Sequence, residues 1–146
     1  MPRHPQRSGQ PTHPFVARFP AHVQSVPETR RGFVGWMRDA RLDDDAIEDL
    51  EVVYSEIAAN AVAASPTPDD EVRVRAMLDE AVLVLEVSNR TNGAVTPVVA
   101  PDLDDPLRPN GRGLLIARAF VDSVDIEADG PDRLRVRCCR RVTLPD

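Results

Sequence analysis

The chain has 146 residues, enough for one domain that buries roughly two-thirds of its unfolded surface and needs neither disulfides nor structural metal. Its formal net charge is −6 and its sequence pI is near 5.0, which argues against direct nucleic-acid or anionic-membrane partners, because phosphate binding on that scale needs a basic surface. All 18 basic residues are Arg, so the GxxxxGKS/T phosphate loop, the catalytic lysine of eukaryotic-type protein kinases and Schiff-base chemistry are excluded.

Residues Met1 to Pro14 hold four prolines and almost no large apolar side chain. Such a stretch cannot bury enough surface to offset its ordering entropy, and a disordered tail is expected ahead of a single domain from residue 15 to 146. Phe15, Ala17 and Phe19 alternate with Val16 and Arg18, the two-residue period of a short strand that Pro20 stops. A first helix is expected from Ser25, as N-cap, to Ala40, with Gly32 and Gly35 weakening it and allowing close packing. Asp43 to Asp45 then cap and charge a second helix, about Asp44 to Ala64, which ends before Ser65-Pro66-Thr67-Pro68.

That second helix carries Glu56 and Asn60, which lie roughly 40° apart on one face. Ile47, Leu50, Tyr54, Ile57, Ala58 and Ala61 recur at three- and four-residue steps as its apolar stripe, and Asn60 sits beside that stripe. A carboxylate and a carboxamide are thereby held near the core. By themselves they read as an ordinary polar pair on a helix flank.

Glu71 to Leu78 alternates apolar and charged residues, a strand with one wet face, while Ala81 to Asn89 is nearly continuous Val and Leu, a central strand. Asp79-Glu80 makes the turn between them. Arg90 to Asn110 is the longest loop, and Gly111-Arg112-Gly113 then opens a third helix that stops near Val121. Glycines there let free amides approach a phosphate at the positive end of the helix dipole, although a tight turn and close packing would use them equally well. Two last strands, about Ser123 to Ala128 and Arg133 to Val142, flank the turn Asp129-Gly130-Pro131-Asp132. Adjacent Cys138 and Cys139 should point to opposite faces and remain reduced, and His4, His13 and His22 are too scattered for a zinc site. With no signal peptide or long apolar run, a cytoplasmic protein is expected. This order implies an α+β two-layer sandwich: a mixed, mainly antiparallel sheet of about five strands with three helices on one face.

Taken in order, Ser55-Glu56-Ile57-Ala58-Ala59-Asn60-Ala61-Val62 on a helix, a buried strand ending at Asn89, a long loop, Gly111-Arg112-Gly113-Leu114-Leu115 and a closing hairpin resemble the GHKL (Bergerat-fold) ATPase superfamily. Within it they resemble the RsbW-like anti-sigma-factor serine-protein kinases of bacteria, over about Phe15 to Val142. The resemblance implies that Asn60 gives its amide oxygen to a Mg²⁺ bridging the phosphates of ATP. It implies that Glu56 is the general base for a substrate serine hydroxyl. Gly111 and Gly113 would set backbone amides against the phosphates with Asn110, Arg112 and Leu114 beside them, and the preceding loop would be the ATP lid. The family's first glycine box begins with an Asp that accepts the adenine amino proton; here Asn89 takes its place and Gly93 alone remains of its glycines. A neutral acceptor weakens that hydrogen bond by ~1–2 kcal/mol. The implied function is a serine/threonine-protein kinase that phosphorylates a STAS-type anti-anti-sigma protein and sequesters a sigma factor, with relatives suggesting a homodimer. The alternative is a non-catalytic partner-switching module of the same fold with weak or lost ATP binding.

Overall fold

The computed structural model describes residues 13–91 and 111–144. Five strands and three helices follow in the order β1 (Phe15–Pro20), α1 (Ser25–Asp39), α2 (Asp44–Ala64), β2 (Glu71–Asp79), β3 (Val82–Arg90), α3 (Gly111–Phe120), β4 (Ser123–Ala128) and β5 (Arg133–Arg141). The strands form one sheet in the order β1-β2-β3-β5-β4, and every pairing is antiparallel. The expected α+β sandwich is therefore present, with β3 at the centre of the sheet.

The alternation in the sequence decides which face is covered. Phe19 of β1, Val72, Val74 and Ala76 of β2, Leu83, Leu85 and Val87 of β3, and Cys138 of β5 all enter the core. Against them pack Phe33 and Met37 of α1 and Leu50, Val53, Tyr54, Ile57, Ala58 and Ala61 of α2. The apolar stripe expected on α2 is buried along its whole length. Phe33 stacks on Tyr54 at 5.1 Å between ring centroids and meets Phe15 at 5.7 Å. Gly32 is part of this packing, since a Cβ there would lie 3.3 Å from a Phe15 ring carbon, whereas Gly35 faces open space.

Two local expectations shift. Gln24, not Ser25, is the N-cap of α1 and makes no side-chain cap hydrogen bond, so this helix starts without the device the sequence offered. Asp43 does cap α2, its Oδ2 accepting from Ala46 N at 3.1 Å. The β2–β3 hairpin turns at Glu80-Ala81, one residue later than expected, because Asp79 still pairs with Val82; Glu80 takes the left-handed φ of 57° that this tight loop needs. Cys138 is buried, Cys139 is half-buried, and both are free thiols. Of the expected tail, residues 1–12 lie outside the described residues, and Trp36 Nε1 donates to His13 O at 3.3 Å. No helix among the described residues is long and apolar enough to cross a membrane.

Candidate functional site

Arg140 orients the helices over the sheet. It stands opposite Leu83 at the start of β3, and its Nη1 lies 2.6 Å from Asp49 Oδ2 of α2 and 3.0 Å from the Phe120 carbonyl that ends α3. Both helices are thus pinned at the Leu83 end of the sandwich. Following α2 from Asp49 to Asn60 covers ~16 Å, α3 back from Phe120 to Gly111 covers ~14 Å, and β3 from Leu83 to Asn89 covers ~20 Å. All three runs lead to the opposite end. Asn60, Asn89 and the N-terminus of α3 are therefore gathered there, although they are far apart in the sequence.

The rotation of α2 is fixed by α1. Tyr54 OH donates to Thr29 Oγ1 at 2.6 Å, and Arg30 Nη1 donates to Ser55 Oγ at 2.9 Å, so Tyr54 and Ser55 face α1. Glu56 and Asn60 lie roughly 100° and 140° further round from Ser55, on the flank away from α1. Because α2 packs against both α1 and α3, that flank is the α3 side. Glu56 and Asn60 are both half-buried, and Glu56 makes no hydrogen bond or ion pair among the described residues.

Asn89 alternates in step with Leu83, Leu85 and Val87 and so faces the helices; it is 6% exposed. Its Nδ2 donates to Arg90 O at 2.9 Å, which leaves Oδ1 as the atom able to accept a hydrogen bond. Of the other site residues expected from sequence, Gly93 and Asn110 lie outside the described residues, as does most of the expected lid. Gly111, Arg112, Gly113 and Leu114 form the first turn of α3, as expected. The unbonded backbone N–H groups of a helix lie in that turn.

A network the sequence reading missed holds the end of β3. Asp70, 9% exposed, accepts from Thr67 N at 2.8 Å and Thr67 Oγ1 at 3.3 Å, and Arg90 Nη1 lies 3.1 Å away. The Thr67 backbone bond above all holds the Asp70 carboxyl below the usual carboxylate range, with burial opposing it and Arg90 adding to it. Arg90 Nε also lies 3.4 Å from Asp132 Oδ2 in the β4–β5 turn. Arg133 Nη2 donates to Glu71 O, Ser88 O and Ser88 Oγ at 3.0–3.1 Å. The available signal was the Thr67-Pro68-Asp69-Asp70 turn, where an Asp side chain closes back on backbone.

The donor set suits a cation that arrives with phosphates. No cluster of three or more His, Cys, Asp or Glu side chains able to hold a metal occurs among the described residues. Mg²⁺ takes most of its shell from substrate phosphates and water and needs one or two protein oxygens. The Asn60 amide can supply one.

A family model described as a histidine kinase-like ATPase domain matches residues 19–139. Among solved structures, the RsbU and RsbW domains of a Mycobacterium tuberculosis protein align at 21% identity with a TM-score of 0.68, covering 92% of this chain and 34% of that longer one. The catalytic domain of the histidine kinase ThkA aligns at 11% identity and TM-score 0.60, covering 89% and 99%. The SiaB–SiaC complex from Pseudomonas aeruginosa aligns at 13% identity and TM-score 0.58, covering 88% and 89%. These likenesses are of fold. A comparison with curated proteins finds no match.

Proposed function

Because the chain belongs to the histidine kinase-like ATPase domain family, we propose that it binds Mg-ATP at the end of the sandwich where Asn60, Asn89 and the first turn of α3 meet. We propose further that it acts as an anti-sigma-factor serine-protein kinase on a STAS-type anti-anti-sigma protein and sequesters a sigma factor. The observation that carries this reading is the convergence itself. Arg140 ties Asp49 of α2 and the end of α3 to β5, and Asn60, Asn89 and the first turn of α3 lie along their elements away from that anchor, which supports the reading.

Each residue has a task its surroundings suit. Asn89 Oδ1 would accept from the adenine amino group while its Nδ2 stays bonded to Arg90 O. The first-turn amides at Gly111 and Gly113 would meet phosphate oxygens, with the helix dipole favouring the negative charge. Asn60 would hold Mg²⁺ through its amide oxygen, and ATP when bound supplies the phosphoryl group. Glu56, one helical turn earlier on the same flank, would take the proton of the attacking serine hydroxyl. The RsbW-domain neighbour, and the neighbour in which SiaB is held with SiaC, support a protein partner.

One observation favours a second reading. A neutral Asn at position 89 is a weaker acceptor than a carboxylate, which suits a partner-switching module that works without useful nucleotide affinity. Calorimetric titration of the chain with ATP, with and without Mg²⁺, separates the two. The kinase reading expects saturable Mg-dependent binding, loss of that dependence in Asn60→Ala, and retained binding without phosphoryl transfer in Glu56→Gln. Asn89→Asp should tighten ATP by ~1–2 kcal/mol, about tenfold. No heat and no competition at millimolar ATP would overturn the ATPase reading and leave the binding module.

A further inference from the structure

The sheet face turned away from the helices carries a second arrangement, set by the positions that alternate out of the core. Strand register lines them into two transverse rows. One runs Arg18, Arg73, Ser88, Arg135, Glu127, and the next runs Val16, Arg75, Glu86, Arg137, Asp125. Arg18 thus stands directly opposite Arg73, and like charges so placed destabilise a sheet. In a chain of net charge −6 this concentration of arginine is local and opposite in sign to the whole.

The neutralising carboxylates are unevenly spread. On the β4–β5 side Arg135 lies 3.2 Å from Glu127 and 3.6 Å from Asp129, and Arg137 lies 3.6 Å from Glu86. On the β1–β2 side Arg73 reaches Glu71 at 2.9 Å, but Arg18 and Arg75 make no ion pair among the described residues. A cavity of about 300 Å³ opens over the rows, lined by Arg18, Arg73, Arg75 and Arg135 with Ser88 and Glu86. Its four guanidinium groups outnumber its two carboxylates, Glu86 and Asp129. Arg135 Nε is buried with no hydrogen-bond partner among the described residues. Glu71 and Glu127 neutralise Arg73 and Arg135, so the floor combines two guanidinium groups without an ion pair among the described residues, Arg18 and Arg75, with the crowded Arg18–Arg73 pair.

We propose that this cavity binds a compact multivalent anion, a small molecule bearing two or more phosphate or carboxylate groups, seated between Arg18, Arg75 and Arg135. Guanidinium forks match the planar geometry of such groups and hold them through paired hydrogen bonds. The volume sits at the lower end for small-ligand sites. An extended polyanion is disfavoured by the chain's overall negative charge, whereas a small one lies within a screening length of the arginines and feels mainly their field. The site lies across the sheet from the nucleotide end and does not depend on that assignment.

The test is calorimetric titration of the whole chain with inorganic pyrophosphate and, separately, citrate, at low and high salt. Saturable one-to-one binding of either probe is expected, weakened by salt and at least tenfold weaker in the Arg18→Gln/Arg75→Gln double variant. Asn60→Ala should leave it unchanged. Comparing the two probes tells a phosphate ligand from a carboxylate one. These arginines are exposed, so the double variant should melt at or above the wild-type temperature by Trp36 fluorescence; the single Arg75→Gln variant, expected to weaken binding in the same direction, is the reserve if it does not. Absence of saturable binding by both probes, binding undiminished in the arginine variants, or binding lost in Asn60→Ala would each overturn the proposal.

Discussion

Replacing Arg140 by Met should loosen the end of the sandwich that sets the geometry of the other end. Methionine preserves much of the aliphatic stem and removes the guanidinium, so the loss is polar rather than a cavity. The 2.6 Å contact to Asp49 is a charge-assisted hydrogen bond, of a kind worth ~1.5–3 kcal/mol when well shielded. The 3.0 Å bond to the Phe120 carbonyl places a cation at the C-terminus of α3, worth about 0.3–1 kcal/mol. The side chains of Arg140 and Asp49 are 19% and 32% exposed, so solvent screening reduces the first figure toward its lower bound. A net loss of about 2 kcal/mol follows, which for a domain of this size lowers the melting temperature by roughly 4–8 °C. Urea unfolding followed by fluorescence of Trp36, the single tryptophan of the chain, measures it. A double-mutant cycle with Asp49→Asn should return a coupling of at least about 1 kcal/mol, and Arg140→Lys should recover part of the loss. A change below about 0.5 kcal/mol, or zero coupling in the cycle, would refute the view that this residue pins both helices.

Tyr54 is the chain's single tyrosine, and burial pushes its phenol up to about 12, with the Thr29 and Arg30 contacts opposing it. Phenolate absorbance should therefore titrate near 12, and stability, complete below the unfolded value of about 10, should fall as pH rises toward the folded one. A midpoint near 10 would contradict the burial. Tyr54→Phe should cost ~1 kcal/mol, the net worth of the hydrogen bond to Thr29, in the same urea assay. Asp70 has a folded pKa below its unfolded value, so what it contributes is present above about pH 4 and lost as pH falls through the lower folded value. Asp70→Asn should flatten the acid limb of the stability profile; superimposable limbs in the two proteins would remove Asp70 from that role.

The linear sequence determined a good deal of this protein. Periods of two and of 3.6 residues marked the elements, because burial of alternating or stripe-forming apolar side chains is what drives each to form. The bounds of α2 and β4 agree with the reading, and Asp43 caps α2 as its chemistry suggested. Phe15 to Phe19 announced a short strand, and Glu71 to Leu78 one with a wet face. The pair Glu56 and Asn60 was also legible, since four-residue spacing on a helix is a local fact.

Tertiary structure decided the rest, for reasons of range. The N-cap at Gln24 and the left-handed Glu80 depend on how neighbouring elements meet, and propensity does not encode that. The Asp70–Arg90–Asp132 network joins residues up to 62 positions apart, and single-residue chemistry gives no sign of such a join. The opposition of Arg18 to Arg73 exists only once register is fixed. The same holds for the candidate site. The family resemblance implied that Glu56, Asn60 and Asn89 share one site, and the fold supplies the physical reason: Arg140 ties Asp49 and Phe120 together at one end, and their elements run from there toward the other.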